Sequence, residues 1–213
     1  MPGDFTVGSS RRIINNKGLW LVGIILIISL ALLTLANLNI PEEPVLVRAD
    51  SDGDGHPETY QLAGGQVTVK LNQEIIWESD PAWRVTDLVL ADADHDGQEE
   101  MLLVLWKEGS FGTSKPMWLE EEDNIYSNHL FMYRLVAGRM KPVWCSSAIP
   151  YPILQLKVED YDGDSRQELL VSEGPASGPF YSIRKLLYNE RQTIWQWQEW
   201  GFVREESVHG DAH

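Results

Sequence analysis

Asp92-Ala93-Asp94-His95-Asp96-Gly97-Gln98-Glu99-Glu100, followed by Met101-Leu102-Leu103-Val104-Leu105-Trp106, is the stretch that decides the fold of this 213-residue chain. Carboxylates stand at positions 1, 3, 5 and 9 of the loop, and an unbroken apolar run follows. The same spacing recurs in Asp50-Ser51-Asp52-Gly53-Asp54 with Glu58, and in Asp160-Tyr161-Asp162-Gly163-Asp164 with Glu168. Carboxylate oxygens so arranged make a cage for a hard cation. Three copies make the loop a unit of the architecture, not a single site grafted onto it.

Working outward, each loop is flanked by extended sequence. Val45-Leu46-Val47, Leu88-Val89-Leu90 and Ile153 to Val158 precede the three loops. Glu58 to Leu62, Met101 to Trp106 and Leu169-Leu170-Val171 follow them. These runs are rich in β-formers, so the unit is strand, loop, strand. An EF-hand needs its bidentate Glu at position 12. Here position 12 holds Gln61, Leu103 and Val171, which excludes that reading. The dockerin reading also fails, because it too places helices after its loops. Flexible, carboxylate-rich oxygen cages favour calcium over magnesium, which keeps more of its water. The backbone carbonyl at position 7 is expected to add a ligand from His56, Gln98 and Arg166. Position 6 needs a sharp turn and is Gly55, Gly97 and Ser165. A left-handed Ser165 costs about 1 kcal/mol, which predicts a weaker third site.

Each loop opens a longer repeat. The first continues with a turn at Gly64-Gly65, a strand over Val67–Leu71, and Glu74-Ile75-Ile76-Trp77. The second continues with His129–Leu135, a turn at Gly138, and Pro142-Val143-Trp144. The third continues with Phe180–Ile183, then Leu186-Leu187-Tyr188, then Thr193-Ile194-Trp195. Each unit is thus expected to have about four strands and to close on Trp77, Trp144 or Trp195, acting in packing between units. The spacings from loop Glu to closing Trp are 19, 44 and 27 residues, a growth that repeat proteins accommodate at strand connections. The repeats run over about 44–80, 81–149 and 150–206.

The loop with its following apolar strand, seen over Asp92 to Leu105 and Asp160 to Val171, resembles the FG-GAP/VCBS repeats of integrin-type β-propellers, across about residues 44–200. The resemblance implies that Asp50, Asp52, Asp54 and Glu58 are metal ligands, as are Asp92, Asp94, Asp96 and Glu100, and Asp160, Asp162, Asp164 and Glu168. It implies up to three structural calcium ions. The Phe-Gly-x-Ala-Pro element that names the family is absent, with Phe111-Gly112 a remnant in another place. Propellers typically have 4–8 blades, and three do not readily close a ring. The expected fold class is therefore all-β: three blade-like repeats of antiparallel strands in an open array, a compact β-fold or a homo-oligomer.

The N-terminal part is of another kind. No charge occurs from Gly18 to Pro41, and Leu19 to Leu38 is almost all apolar. About 20 such residues span a bilayer core of ~30 Å. Arg11, Arg12 and Lys17 precede the run, while Glu42 and Glu43 follow it. Positive charge stays inside, so 1–17 is expected in the cytoplasm, 18–40 in the membrane as a single-pass anchor, and 42–213 outside. The alternative is secretion after cleavage near Thr34-Leu35-Ala36, but signal cores usually run about 7–15 residues. Calcium is plentiful outside the cell, which suits weak extracellular modules.

Composition bounds the rest. Acidic residues number 32 and basic residues 17, a formal charge of −15. That excludes the basic face nucleic-acid binding needs. The loops alone hold four carboxylates each at the repeated positions, a concentration of like charge that strains the fold without cations. The single cysteine, Cys145, forms no intrachain disulfide and no cysteine-based zinc site. The connection Lys107 to Asn128 exceeds the about 12–15 residues of an ordinary loop. Its aromatic and Gly/Ser content fits a glycan or peptide surface, or a lid, and its acidic run Glu120–Asp123 reads as a solvated face. The alternation of Trp195 and Trp197 predicts one strand, and Trp200–Val203 a second. No His-Glu-x-x-His, phosphate loop or Gly-x-Ser-x-Gly occurs. The expected function is a binding, adhesion or scaffolding module for a protein or glycan ligand. The alternatives are a glycan hydrolase or lyase with structural calcium, or an accessory subunit of a membrane complex.

Overall fold

The computed structural model describes residues 43–113, 116–118, 122–175 and 190–205. The expected anchor helix over 18–40 and the expected strands over Phe180–Ile183 and Leu186–Tyr188 lie outside the described residues.

Among the described residues, twelve strands form three antiparallel four-stranded sheets, each in sequence order and none closed on itself. The first holds β1 (Val45–Ala49), β2 (Glu58–Ala63), β3 (Gln66–Leu71) and β4 (Glu74–Glu78). The second holds β5 (Arg84–Ala91), β6 (Glu100–Glu108), β7 (Tyr126–Val136) and β8 (Arg139–Cys145). The third holds β9 (Ile153–Glu159), β10 (Glu168–Glu173), β11 (Arg191–Gln198) and β12 (Gly201–Glu205). In every sheet the acidic loop joins the first strand to the second. The expected strand–loop–strand unit is therefore present three times.

The middle sheet explains the apolar run that opened the sequence. Met101, Leu103, Leu105, Phe131 and Tyr133 face the first sheet, packing with Tyr60, Leu62, Val67 and Val69. Leu102, Val104, Leu130 and Met132 face the opposite way, onto Leu156, Leu169, Val171 and Trp195 of the third sheet. Side chains alternate across a strand, so a strand covered on both faces must be apolar at every position. Among the described residues, the first sheet is covered on one face only. Its outward rows are Leu46, Gln61, Thr68 and Glu78, and Arg48, Thr59 and Lys70. These are mostly polar, as in the capping unit of a stack.

Side chains also stitch the sheets together. Asp87 on β5 accepts the Leu156 N–H of β9 at 3.0 Å. Asn128 on β7 accepts the Ile153 N–H at 2.9 Å. Trp77 on β4 packs on Tyr133 of the second sheet, and Trp144 on β8 makes an edge contact with Phe202 of β12. The inter-sheet role expected of these tryptophans is thus present. One expectation is corrected: Trp195 lies on β11, the third strand of its sheet, and so does not close it. Phe202 on the fourth strand packs there instead, because Thr193-Ile194-Trp195 repeats the apolar-Trp pattern one strand early.

The inserted connection is shorter than the sequence implied, since Glu108 pairs with Tyr126 and lengthens the β6–β7 hairpin. Asp123 is no solvated bystander. Its Oδ2 accepts the Ser110 N–H at 2.6 Å and the Ser110 hydroxyl at 2.7 Å. These bonds hold its carboxyl below the usual carboxylate range. His129 fastens the same region from within. Its ring nitrogens lie 3.1 Å from the Ser146 carbonyl and 3.0 Å from those of Gly109 and from Ser127 Oγ.

Candidate metal centres

The three loops share one backbone design. The carboxylate at position 1 reaches the N–H at position 6: Asp50 to Gly55 at 2.9 Å, Asp92 to Gly97 at 3.0 Å, Asp160 to Ser165 at 3.0 Å. The carboxylate at position 5 accepts the N–H at position 7: Asp54 from His56 at 2.8 Å, Asp96 from Gln98 at 3.0 Å, Asp164 from Arg166 at 2.8 Å. Short acidic side chains fold the chain back on itself in this way. The bonds fix the peptide units that enter position 7, next to the carbonyls expected from sequence as backbone ligands.

Left-handed backbone occurs at two positions per loop. Position 6 has φ of 86°, 90° and 72° at Gly55, Gly97 and Ser165, as expected from its sharp turn. Position 4 is also left-handed, with φ of 71°, 64° and 81° at Gly53, His95 and Gly163, which the sequence reading did not mark. Two glycines at position 4 were the available signal. At the third, His95 Nε2 meets Gln167 of the third loop, 2.9 Å from its carbonyl and 3.1 Å from its N–H. The second and third loops therefore touch.

The position-9 glutamates do something the spacing did not reveal. Glu58, Glu100 and Glu168 are 1%, 0% and 3% exposed, at the foot of the second strand of each sheet. Each turns Oε2 onto the backbone N–H of position 2: Ser51 at 3.2 Å, Ala93 at 3.0 Å and Tyr161 at 2.9 Å. Ser51 Oγ adds a second bond to Glu58 and also bonds the Tyr60 hydroxyl. Burial pushes that hydroxyl up to about 12. The glutamate thus closes its loop with one oxygen and keeps the other. In the first loop the remaining Glu58 Oε1 is buried with no hydrogen-bond partner. An orphaned buried carboxylate oxygen is costly and fits a cation ligand.

Asp50, Asp52 and Asp54 bring ligand atoms within 4.8 Å of one another, as do Asp92, Asp94 and Asp96, and Asp160, Asp162 and Glu168. Asp164, Glu58 and Glu100 fall outside those tight groups. Two carboxylate charges about 4 Å apart repel by about 1 kcal/mol in water and about 4 kcal/mol near a protein surface. A divalent cation reverses the sign of that term, and an all-oxygen donor set suits calcium or magnesium.

The second loop differs. Arg134, on β7 opposite Glu100, sends its guanidinium to Asp94 at 2.6 Å, Asp96 at 2.6 Å and Glu100 at 2.7 Å. Burial pushes the Glu100 carboxyl up to about 7, with the Arg134 bond opposing. Sequence reasoning placed Arg134 in a strand and assigned it no role. The available signal was a lone charge inside the apolar run Leu130–Leu135.

In comparisons with known proteins, no family model, no curated protein and no solved structure gives a significant match to the chain.

Proposed function

We propose that this chain is a membrane-anchored, extracytoplasmic module in which calcium-bound loops hold stacked β-sheets, and whose work is to bind or scaffold a protein or glycan. The observation that carries the reading is the repetition of one loop geometry at one place in three sheets, with acidic oxygens converging each time. Asp50, Asp52 and Asp54 with the His56 carbonyl and Glu58 Oε1 would hold the first ion. Asp160, Asp162, Asp164 and Glu168 with the Arg166 carbonyl would hold another. Calcium there supplies charge compensation and cross-links the first strand of a sheet to the second. The resemblance to FG-GAP/VCBS repeats and the charge-free segment 18–40 support the same reading.

The binding surface fits the exposed apolar points. Met117 and Trp118 in the inserted connection are 98% and 83% exposed, and Trp200 in the β11–β12 turn is 80% exposed. Large aromatics held in water favour partner contact. A glycan array and a pull-down with the full chain test the reading, each run in calcium and in EDTA. The expected result is a partner retained in calcium, lost in EDTA and weakened by Trp118→Ala or Trp200→Ala. Retention indifferent to calcium and to both substitutions contradicts it.

A further inference from the structure

The three loops share a backbone but not a neighbour. In the second sheet Glu100 pairs across the ladder with Arg134. In the first sheet Thr59 pairs with Lys70, which places Leu71 opposite Glu58. In the third, Leu169 pairs with Trp195, which places Gln196 opposite Glu168. Only the second sheet carries a cationic side chain at this point.

That side chain sits where a cation belongs. Its Nη1 meets Asp96, its Nη2 meets Asp94 and Glu100, and its Nε donates to Glu100 at 2.8 Å. It thereby engages positions 3, 5 and 9 of the loop together. The group is 18% exposed and Glu100 is fully buried, so water replaces little of this contact. A planar guanidinium with several fixed donors matches carboxylates at several angles. Among the described residues, no ion pair reaches the carboxylates of the first or third loop. Asp92 Oδ1 and Asp94 Oδ1 are buried without a hydrogen-bond partner, as Glu58 Oε1 is, but here the guanidinium on the other oxygen of Asp94 supplies the compensating positive charge.

We propose that Arg134 is the resident cation of the second loop, so that the chain takes up divalent ions at its first and third loops and opens a site at the second only when the guanidinium is removed. The proposal rests on the calcium reading above for the outer loops, and narrows the expectation of up to three ions to two. The second loop then keeps its shape in the absence of metal, and through the His95–Gln167 contact it braces the third loop beside it.

Native mass spectrometry of the full chain in detergent, titrated with calcium alone, counts the ions. Two are expected in the wild type, one in Asp54→Ala, one in Asp164→Ala, two in Asp96→Ala and three in Arg134→Gln. Three ions in the wild type overturn the proposal, as does loss of an ion in Asp96→Ala or no gain in folded Arg134→Gln. If Arg134→Gln does not fold, the three aspartate variants decide by themselves, because each changes one exposed carboxylate. No ion in the wild type but one in Arg134→Gln overturns the calcium reading of the outer loops and leaves the role of Arg134 standing. No ion in either overturns both.

Discussion

Arg134 and Glu100 form the costliest contact to break. Glu100 is wholly buried, and its Oε1 meets the guanidinium at 2.7 Å. Removing the guanidinium leaves the buried Glu100 carboxyl to take up a proton or to stand uncompensated, at up to about 3–5 kcal/mol. Arg134→Met is therefore expected to lower stability by up to that amount in calcium-free buffer, read by urea unfolding. A loss under about 1 kcal/mol would mean that the pair is solvated. His129 is one residue through which acid weakens the fold, whereas Glu100, with its raised pKa, acts in the opposite direction. Burial lowers the His129 pKa below the usual 6.5, against the opposing pull of the Ser146 and Gly109 carbonyls. As pH falls below about 6.5, the unfolded chain takes up the proton first, so this contribution to stability is full above about 6.5 and is lost as pH drops further. Replacing His129 with Gln should flatten the change in stability between about pH 7 and pH 5. An unchanged pH dependence would show that the imidazole titrates normally in the fold. At this scale the sequence was legible where an interaction is local. The left-handed turn at Ser165 follows from the position-6 requirement, because it lies within one loop. Arg134 was not legible, because Leu130–Leu135 reads as a strand whatever the arginine meets. Its three carboxylates lie between 34 and 40 residues away in the chain.

The elements meet most tightly where the second and third sheets face each other. A Cβ built on Gly201 would lie 2.6 Å from the Trp144 indole nitrogen, and Gly201 is buried. Gly201→Ala must push the indole away from Phe202, at about 1–3 kcal/mol for overpacking. Thermal unfolding reads this directly, and an unshifted midpoint would show that β8 and β12 are loosely packed. Strand–loop–strand order could be read from the chain because apolar runs flank every loop. The double burial of β6 was visible as the unbroken run Met101–Leu105, yet periodicity does not separate a buried strand from other apolar segments. The position of Trp195 was misread because a Trp after a β-branched residue marks a strand and not its rank in the sheet. Only the pairing of Leu169 with Trp195 places it third.

Over the whole molecule, three sheets stack with two cores between them, and the acidic loops occupy the same turn of each. The outward face of the first sheet carries Arg48, Gln61, Thr68 and Lys70, and no other described element packs on it. Thr68→Lys, placed on that face opposite Glu78, is expected to change stability by no more than about 0.5 kcal/mol. A large loss would mean that another unit covers the face. On the proposed reading, divalent ions in the first and third loops hold the first strand of those sheets to the second. A site filled to 100 times its Kd adds about 2.7 kcal/mol. In a domain of this size each kcal/mol raises Tm by about 2–4 °C. The direct measurement is the Tm of the full chain in detergent, scanned in millimolar calcium and again in EDTA. Calcium should raise Tm by several degrees and EDTA should abolish the gain, whereas a midpoint indifferent to both would contradict the account.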